Sequence, residues 1–211
     1  MNTVSWIIFD LGGIIVPETS GPIVRHLADE IGIRPADLQN AADRHYDRAA
    51  TGEIALLELC ALVLRDLGIK RDPDRFLEHY LSLYREYSMP YDETVLALIR
   101  DLRSRYRIAC FSNTEREVAE YSRTTGLFEH FERCYLSIDI GLRKPDPRAY
   151  RAVLQDLACP AADALFIDDR EENVAGACAV GMQAFRFRNP SQLREALQAL
   201  LPWCPPGRRV Y

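Results

Sequence analysis

The segment Trp6-Ile7-Ile8-Phe9-Asp10-Leu11-Gly12-Gly13 joins a short apolar run to a carboxylate and two glycines. The four apolar residues predict a strand that is buried on both faces of a parallel sheet. The glycines allow the chain to turn tightly and leave space for a ligand beside Asp10. Because ligands of such sheets bind beyond the carboxyl ends of the strands, Asp10 is a candidate functional residue. The alternative is an aspartate in a simple turn.

Three more apolar runs predict further strands of the same sheet. They cover Ile108–Phe111, Leu165–Ile167 and Ala184–Phe187. Stretches with helical spacing precede the first two of these runs. Their apolar positions are Val95, Leu96, Ile99 and Leu102, and then Tyr150, Val153, Leu154 and Leu157. This alternation predicts an α/β fold with a Rossmann-like parallel sheet, covered by helices on both faces in three layers.

Residues 17–90 show no convincing strand, and we expect them to form an all-helical insertion. Three prolines open helical segments, a position where proline is tolerated because that amide has no helical partner. These are Pro22, Pro35 and Pro73. Gly32 and Gly68 stand where helices are expected to stop.

The insertion predicts two units within the chain. Residues 1–16 and 91–211 would form the catalytic core, and residues 17–90 a small helical domain inserted after the first strand. The tail Leu201–Tyr211 contains three prolines and is expected to be irregular.

Composition excludes several classes of function. The 211 residues carry a net charge of −5, with basic and acidic residues interspersed, so neither nucleic acid nor an anionic membrane is an expected partner. None of the six cysteines forms a CxxC pair, and no apolar run approaches the roughly 20 residues of a membrane helix. We expect a cytoplasmic protein, as a monomer or a homodimer, whose partner is a small molecule.

Polar residues follow two of the predicted strands. Ser112-Asn113-Thr114 comes after the second strand, where a hydroxyl and the amides of a helix start can bind phosphate, or where the serine simply caps the helix. Asp168 and Asp169 follow the strand Leu165–Ile167. Paired carboxylates repel each other unless they share a cation, and their oxygens suit magnesium. An exposed acidic turn is the alternative.

The segment Gly141-Leu142-Arg143-Lys144-Pro145-Asp146-Pro147 places a lysine between prolines. A lysine held in this way can bind a phosphoryl oxygen and offset the charge of a nucleophilic aspartate. The alternative is a solvated surface lysine, and Arg143 could equally be the surface residue.

In their order along the chain, the segments around Asp10, Ser112, Lys144 and Asp168 resemble the motif series of the haloacid dehalogenase superfamily. The resemblance extends from about residue 5 to residue 190, and the helical insertion resembles the small helical cap of the superfamily's first cap class. Three segments are similar to the subgroup that contains bacterial glucose-1-phosphate phosphatases. They are Phe9–Gly13, Tyr135–Ser137 with Gly141–Pro145, and Ile167–Asp169.

The resemblance implies a magnesium-dependent phosphohydrolase that forms an aspartyl-phosphate intermediate. Asp10 would be the nucleophile and one magnesium ligand. The backbone carbonyl of Gly12 would be a second ligand and Asp169 a third, with Asp168 beside it. Asn173 occupies a position that is often aspartate in the family, where it supports the metal site.

The same resemblance implies a phosphate site. Ser112 and Asn113 would bind the phosphoryl group together with Lys144, and Ser112 and Lys144 would be catalytic residues alongside Asp10. The expected substrate is a small phosphorylated metabolite, such as a sugar phosphate, with a sugar 1-phosphate favoured.

One position departs from the pattern. Phosphatases of this superfamily usually carry an aspartate two residues after the nucleophile as the general acid and base, and here that residue is Gly12. A general acid contributes roughly 10²–10⁴ in rate, so another group substitutes or the leaving group needs little help. The glucose-1-phosphate phosphatase subgroup also has glycine here. Glu18, His26 and His45 are the local candidates for a substitute.

Two other functions compete with this interpretation. In a metal-independent haloacid dehalogenase the same aspartate would attack carbon, but the pair of Asp168 and Asp169 would then be unexplained. A binding or regulatory protein on the same scaffold is suggested by Gly12, but the presence of Asp10 and Lys144 weighs against it.

Overall fold

The computed structural model describes residues 4–201. Within them the chain forms five strands: β1 Trp6–Phe9, β2 Arg107–Ser112, β3 Arg133–Leu136, β4 Ala164–Asp168 and β5 Gln183–Arg186. The α-helices are α1 Ser20–Ile31, α2 Pro35–Ala50, α3 Leu56–Asp66, α4 Pro73–Tyr87, α5 Glu93–Leu102, α6 Arg116–Thr124, α7 Ser137–Ile140, α8 Pro147–Asp156, α9 Glu171–Ala179 and α10 Pro190–Leu200. The irregular tail predicted over Leu201–Tyr211 lies outside the described residues except for Leu201.

The five strands form one parallel sheet in the order β3-β2-β1-β4-β5. The predicted Rossmann-like α/β fold is therefore confirmed, and the four predicted strands match the observed ones to within one residue at each end. Strand β3 was not predicted from the sequence. It lies at the edge of the sheet, and its first two residues, Arg133 and Cys134, are exposed, so it lacks the apolar run that marks the others.

The three layers follow from the alternation of side chains along β1. Ile7 and Phe9 face a core that α5 and α10 cover. Trp6 and Ile8 face a second core on the opposite side of the sheet, which α8 closes. All four side chains are almost completely buried, as expected of a central strand in a sheet with helices on both faces.

Between β1 and α5 the regular elements are helices, as predicted, but there are four of them instead of three segments. The stretch that Pro35 opens divides at residues 51–55, where Gly52 adopts a positive φ of 78° and ends α2. The predicted stop at Gly32 is confirmed by its left-handed conformation.

Helices α1–α4 share a hydrophobic cluster of their own, which also includes Val118 of α6. On this basis we propose that residues 17–90 form a cap that packs on the sheet-containing core. Among residues 4–201, no helix is long and apolar enough to cross a membrane.

Candidate active site

Three of the predicted functional residues meet at one edge of the sheet. Asp10 directly follows β1, Ser112 is the last residue of β2, and Asp168 is the last residue of β4. Strands β2 and β4 flank β1 on either side, so their parallel arrangement brings the three carboxyl ends together. Lys144 reaches the same point from the loop between α7 and α8.

Lys144 is enclosed between two carboxylates and two aromatic rings, with 1% of its surface exposed. Its Nζ lies 2.8 Å from Oδ1 of Asp10 and 2.7 Å from Oδ2 of Asp168. The same nitrogen lies 5.3 Å from the ring centroids of both Phe111 and Phe166, within the range of cation–π attraction. Burial alone would lower the pKa of Lys144, but the two carboxylates raise it above its usual value. The lysine is therefore held as a cation inside the site.

Arg143 points away from Lys144 and towards the helical segment. It forms an ion pair with Asp47 and lies 5.2 Å from the ring centroid of Tyr46. The alternative of a solvated lysine is therefore wrong for Lys144, and the arginine connects the core to α2.

Asp168 and Asp169 have different surroundings although they are adjacent in the sequence. Asp168 is fully buried, and its oxygens accept hydrogen bonds from Lys144 Nζ, the Arg170 amide and Nδ2 of Asn173. Asp169 is only half-buried and lines the cavity that contains Asp10. Asn173 therefore acts on Asp168 as a hydrogen-bond donor.

One carboxylate oxygen from each of Asp10, Asp168 and Asp169 lies within 4.8 Å of the other two. Burial raises the pKa of Asp10 to about 6, with Lys144 opposing this shift and Asp168 adding to it. Burial, and then the charge of Asp168, also raises the pKa of Asp169. Three carboxylates and one ammonium leave an excess of negative charge, so this set of oxygen ligands fits a magnesium ion.

The segment after β2 is fastened to the loop that carries Lys144. Nδ2 of Asn113 donates to the Lys144 carbonyl, and the Lys144 amide donates to Oδ1 of Asn113, both at 2.9 Å. The amide of Thr114 donates to Oγ of Ser137. Ser112 lines the cavity. The side chain of Asn113 thus fixes the position of the lysine. The backbone amide of Asn113 is the group left for a ligand.

The two glycines after Asp10 are under different constraints. Gly13 has a φ of +70°, and a Cβ atom there would lie 2.8 Å from Cγ of Asp169, so only glycine fits. Gly12 does not have a positive φ, and a Cβ atom would meet nothing within 4 Å. The backbone at position 12 therefore accepts a side chain, although the sequence supplies none.

The residues considered as substitutes for the missing acid have other partners. The carboxylate of Glu18 accepts hydrogen bonds from Ser20 and from the Gly21 amide at the start of α1, although it does line the cavity. Nδ1 of His26 lies 3.3 Å from the Tyr87 hydroxyl. His45 pairs with Asp66 at 2.9 Å. Neither histidine lines the cavity around Asp10.

A cavity of about 560 Å³ extends from Asp10, Lys144 and Asp169 into the helical segment. Glu115 and Tyr46 also line it, and Glu115 is only 7% exposed. Burial raises the pKa of Glu115 to about 7. Sequence reasoning missed both residues because a glutamate at the start of a helix is usually solvated, and because only the packing of the four helices decides which of their side chains face inward.

The protein has an α/β fold with an aspartate, a buried lysine and an acidic cluster at the carboxyl edge of its parallel sheet. The family model for haloacid dehalogenase-like hydrolases matches residues 4–181. The chain belongs to this family and is an enzyme of the haloacid dehalogenase superfamily, as the resemblance in the sequence implies.

Similar proteins agree with this assignment. A D-ribitol-5-phosphate phosphatase of Bacteroides thetaiotaomicron is 25% identical over 203 residues, which cover 92% of this chain and 97% of the relative. A predicted haloacid dehalogenase-like hydrolase of Porphyromonas gingivalis has a similar structure, with a TM-score of 0.77 at 22% identity over 95% of this chain and 99% of the other. A haloacid dehalogenase family enzyme of B. thetaiotaomicron, in complex with magnesium and inorganic phosphate, gives a TM-score of 0.68 at 19% identity, over 88% and 94% of the two chains.

The contacts of Asp10 lead to a prediction about its replacement. Asp10→Asn should fold normally, because the amide is nearly the same size and Lys144 keeps its contact with Asp168. Turnover of a phosphate ester should fall by several orders of magnitude, because an amide is a poor nucleophile. Steady-state rates and thermal unfolding would be compared with those of Asp101→Asn, a matched change of an exposed carboxylate on α5. A variant that keeps more than a tenth of the wild-type rate would show that another group attacks phosphorus.

Proposed function

We propose that the protein is a magnesium-dependent phosphatase that hydrolyses a small phosphorylated metabolite through an aspartyl-phosphate on Asp10. The observation that carries this proposal is the contact between Asp10 and Lys144, which lie 2.8 Å apart. Both residues line the cavity together with Asp169. A carboxylate next to a fixed cation and an acidic cluster is suited to attack a phosphoryl group, whose charge needs compensation.

The proposed reaction has two steps. A carboxylate oxygen of Asp10 forms a bond to phosphorus while the ester bond breaks, and the leaving oxygen departs as an anion that takes a proton from water. Water then hydrolyses the acyl phosphate, which releases inorganic phosphate and restores Asp10. Lys144, Ser112 and the backbone amide of Asn113 would hold the phosphoryl oxygens through both steps.

Asp10, Asp169 and the carbonyl of Gly12 are the proposed magnesium ligands. Bound magnesium supplies positive charge next to the phosphoryl oxygens. Asp168 stands beside these ligands, but its oxygens already accept hydrogen bonds from Lys144 and Asn173. We therefore give Asp168 the role of orienting the lysine. The structurally similar Bacteroides enzyme is a complex with magnesium and inorganic phosphate, which supports the proposal that this protein also uses magnesium.

The ribitol-5-phosphate phosphatase supports a phosphatase over a dehalogenase, since the similarity spans almost both chains. The acidic cluster also favours a phosphatase, because a dehalogenase attacks carbon without a metal and would not need Asp169 as a ligand. The complete contact network of Asp10, Lys144 and Asp168 also favours an active enzyme over a regulatory protein on the same scaffold.

The missing acid at Gly12 leads us to propose which leaving groups the enzyme favours. Without an acid at this position, the barrier should depend on how well the leaving oxygen carries negative charge. An anomeric hydroxyl and a phenol are both more acidic than an ordinary alcohol. Sugar 1-phosphates and aryl phosphates are therefore the favoured substrates.

Magnesium dependence gives the first test. Activity should disappear in excess chelator and return with magnesium, and Asp169→Asn should raise the magnesium concentration required by at least about tenfold, because it removes one charged ligand. Metal titrations would compare this variant with Asp101→Asn. Full activity in excess chelator would contradict the proposal and favour the dehalogenase.

Leaving-group acidity gives the second test. Glucose 1-phosphate should be hydrolysed faster than glucose 6-phosphate, and the chemical step should quicken along a series of aryl phosphates as the phenol becomes more acidic. Gly12→Asp should help the poor leaving groups most, because the backbone accepts a side chain there.

Gly12→Asn is the matched control for that variant, since it adds a side chain of the same size that cannot act as an acid. Single-turnover rates would be measured for all three proteins. A wild-type rate that is flat across the aryl series would show that a hidden proton donor does the work.

A further inference from the structure

The cavity beside Asp10 continues into the cap, and its walls there are mostly apolar. Side chains from all four cap helices contribute to this surface. They include Val24, Leu27, Leu38, Leu59, Val63 and Phe76. At about 560 Å³ the cavity has the size of a small-molecule site. It is larger than a phosphoryl group requires, so the cap part has space for the organic portion of a substrate.

This apolar wall favours one of the two proposed leaving groups, the aryl group, over the other, the sugar. Each hydroxyl of a sugar that is buried without a partner costs about 1–3 kcal/mol, whereas apolar surface removed from water is stabilising at roughly 25 cal/mol per Å². A polyhydroxylated sugar would lose several hydrogen bonds to water on entering the cap. An aromatic ring would lose none and would gain contact area.

Glu18, Asp43 and Asp47 also line the cavity on the cap side but are exposed, whereas Glu115 is a buried carboxylate. It directly precedes α6, lines the cavity and is 93% buried, with 7% of its surface exposed. Its own backbone amide donates a hydrogen bond to the carboxyl group, and among residues 4–201 no side chain does. A carboxylate has about four acceptor sites, so a single amide donor leaves most of them open. The cavity is the direction from which a donor could reach it.

Two tyrosines stand near this carboxyl group. Tyr46 and Tyr80 line the cavity and both interact electrostatically with Glu115. Burial raises the pKa of each phenol above its usual value, and Glu115 raises it further. Burial likewise raises the pKa of Glu115, to about 7, despite the opposing charge of Arg143. Burial is the largest cause of all three shifts, so this part of the cavity accommodates a neutral hydroxyl group.

We propose that the organic part of the substrate is an aromatic ring system that occupies the cap cavity and donates a hydrogen bond from a hydroxyl group to Glu115. This inference rests on the proposed phosphatase function and narrows its substrate to hydroxylated aryl phosphates. Glu115 is then a specificity-determining residue, separate from the groups that hold the phosphoryl group.

Three probes test the proposal: 2-naphthyl phosphate, 6-hydroxy-2-naphthyl phosphate and glucose 1-phosphate. The wild type should have a higher kcat/KM for both naphthyl esters than for the sugar. The added hydroxyl should lower KM by roughly tenfold, as a hydrogen bond to a buried carboxyl group does. Glu115→Leu should abolish this difference, while KM for the unsubstituted naphthyl ester and inhibition by inorganic phosphate stay within about twofold of wild type.

Two further variants separate recognition from stability. Glu115→Gln keeps an acceptor and should retain part of the preference for the hydroxylated probe. Glu120→Leu makes the same substitution at an exposed position of α6 and should change nothing. A preference that survives in Glu115→Leu, or a wild type that prefers glucose 1-phosphate or ribitol 5-phosphate, would overturn the proposal.

Calorimetric binding of the three probes to Asp10→Asn keeps this test independent of turnover. The same order of affinities is expected there, with the hydroxylated naphthyl ester the tightest. If the wild type hydrolyses none of the probes and the order of affinities still holds, the proposed function fails and the cap cavity remains a binding site for hydroxylated aromatic rings. If turnover is seen but the sugar binds most tightly, the proposed function stands and the substrate class is wrong.

Discussion

The site depends on one buried cation, the ammonium group of Lys144 between Asp10 and Asp168. A buried charge left with no partner costs about 3–5 kcal/mol because it stays desolvated, and here two carboxylates share that role. The protein surrounds this lysine with further support. Asn113 fastens its backbone on both sides, Asn173 orients Asp168, and two aromatic rings face the ammonium group. Asp10 therefore stands next to a fixed positive charge and still faces the cavity, which is what a nucleophile for phosphorus requires.

The sequence predicted most of the sheet and the polar residues at its carboxyl edge. Apolar runs report burial directly, and polar residues that end such runs must lie at a strand terminus, which is why Asp10 and Ser112 could be found without a structure. Other features depend on tertiary packing. The edge strand β3 has too few buried residues to show a pattern. The different environments of Asp168 and Asp169 arise from Lys144, which lies 24 residues before Asp168 in the chain.

Neighbouring residues that look alike in the sequence have different consequences in the structure. Gly13 is required by its backbone conformation and by the nearby carboxylate of Asp169, whereas Gly12 is free of both constraints. The absence of a carboxylic acid at position 12 is therefore a chemical property of this enzyme and not a demand of the fold. Glu115 was missed for a related reason. Its burial comes from the cap helices that cover it, and no local pattern in the sequence reports that contact.

Direct detection of the covalent intermediate tests the central claim that Asp10 attacks phosphorus. The enzyme would be mixed with an aryl phosphate and magnesium, quenched in acid within a single turnover, digested and analysed by mass spectrometry. The expected result is one phosphoryl group on the peptide that contains Asp10, labile to hydroxylamine as an acyl phosphate is, and absent from Asp10→Asn. Phosphate found on another residue, or rapid turnover with no phosphorylated peptide at any quench time, would contradict the claim.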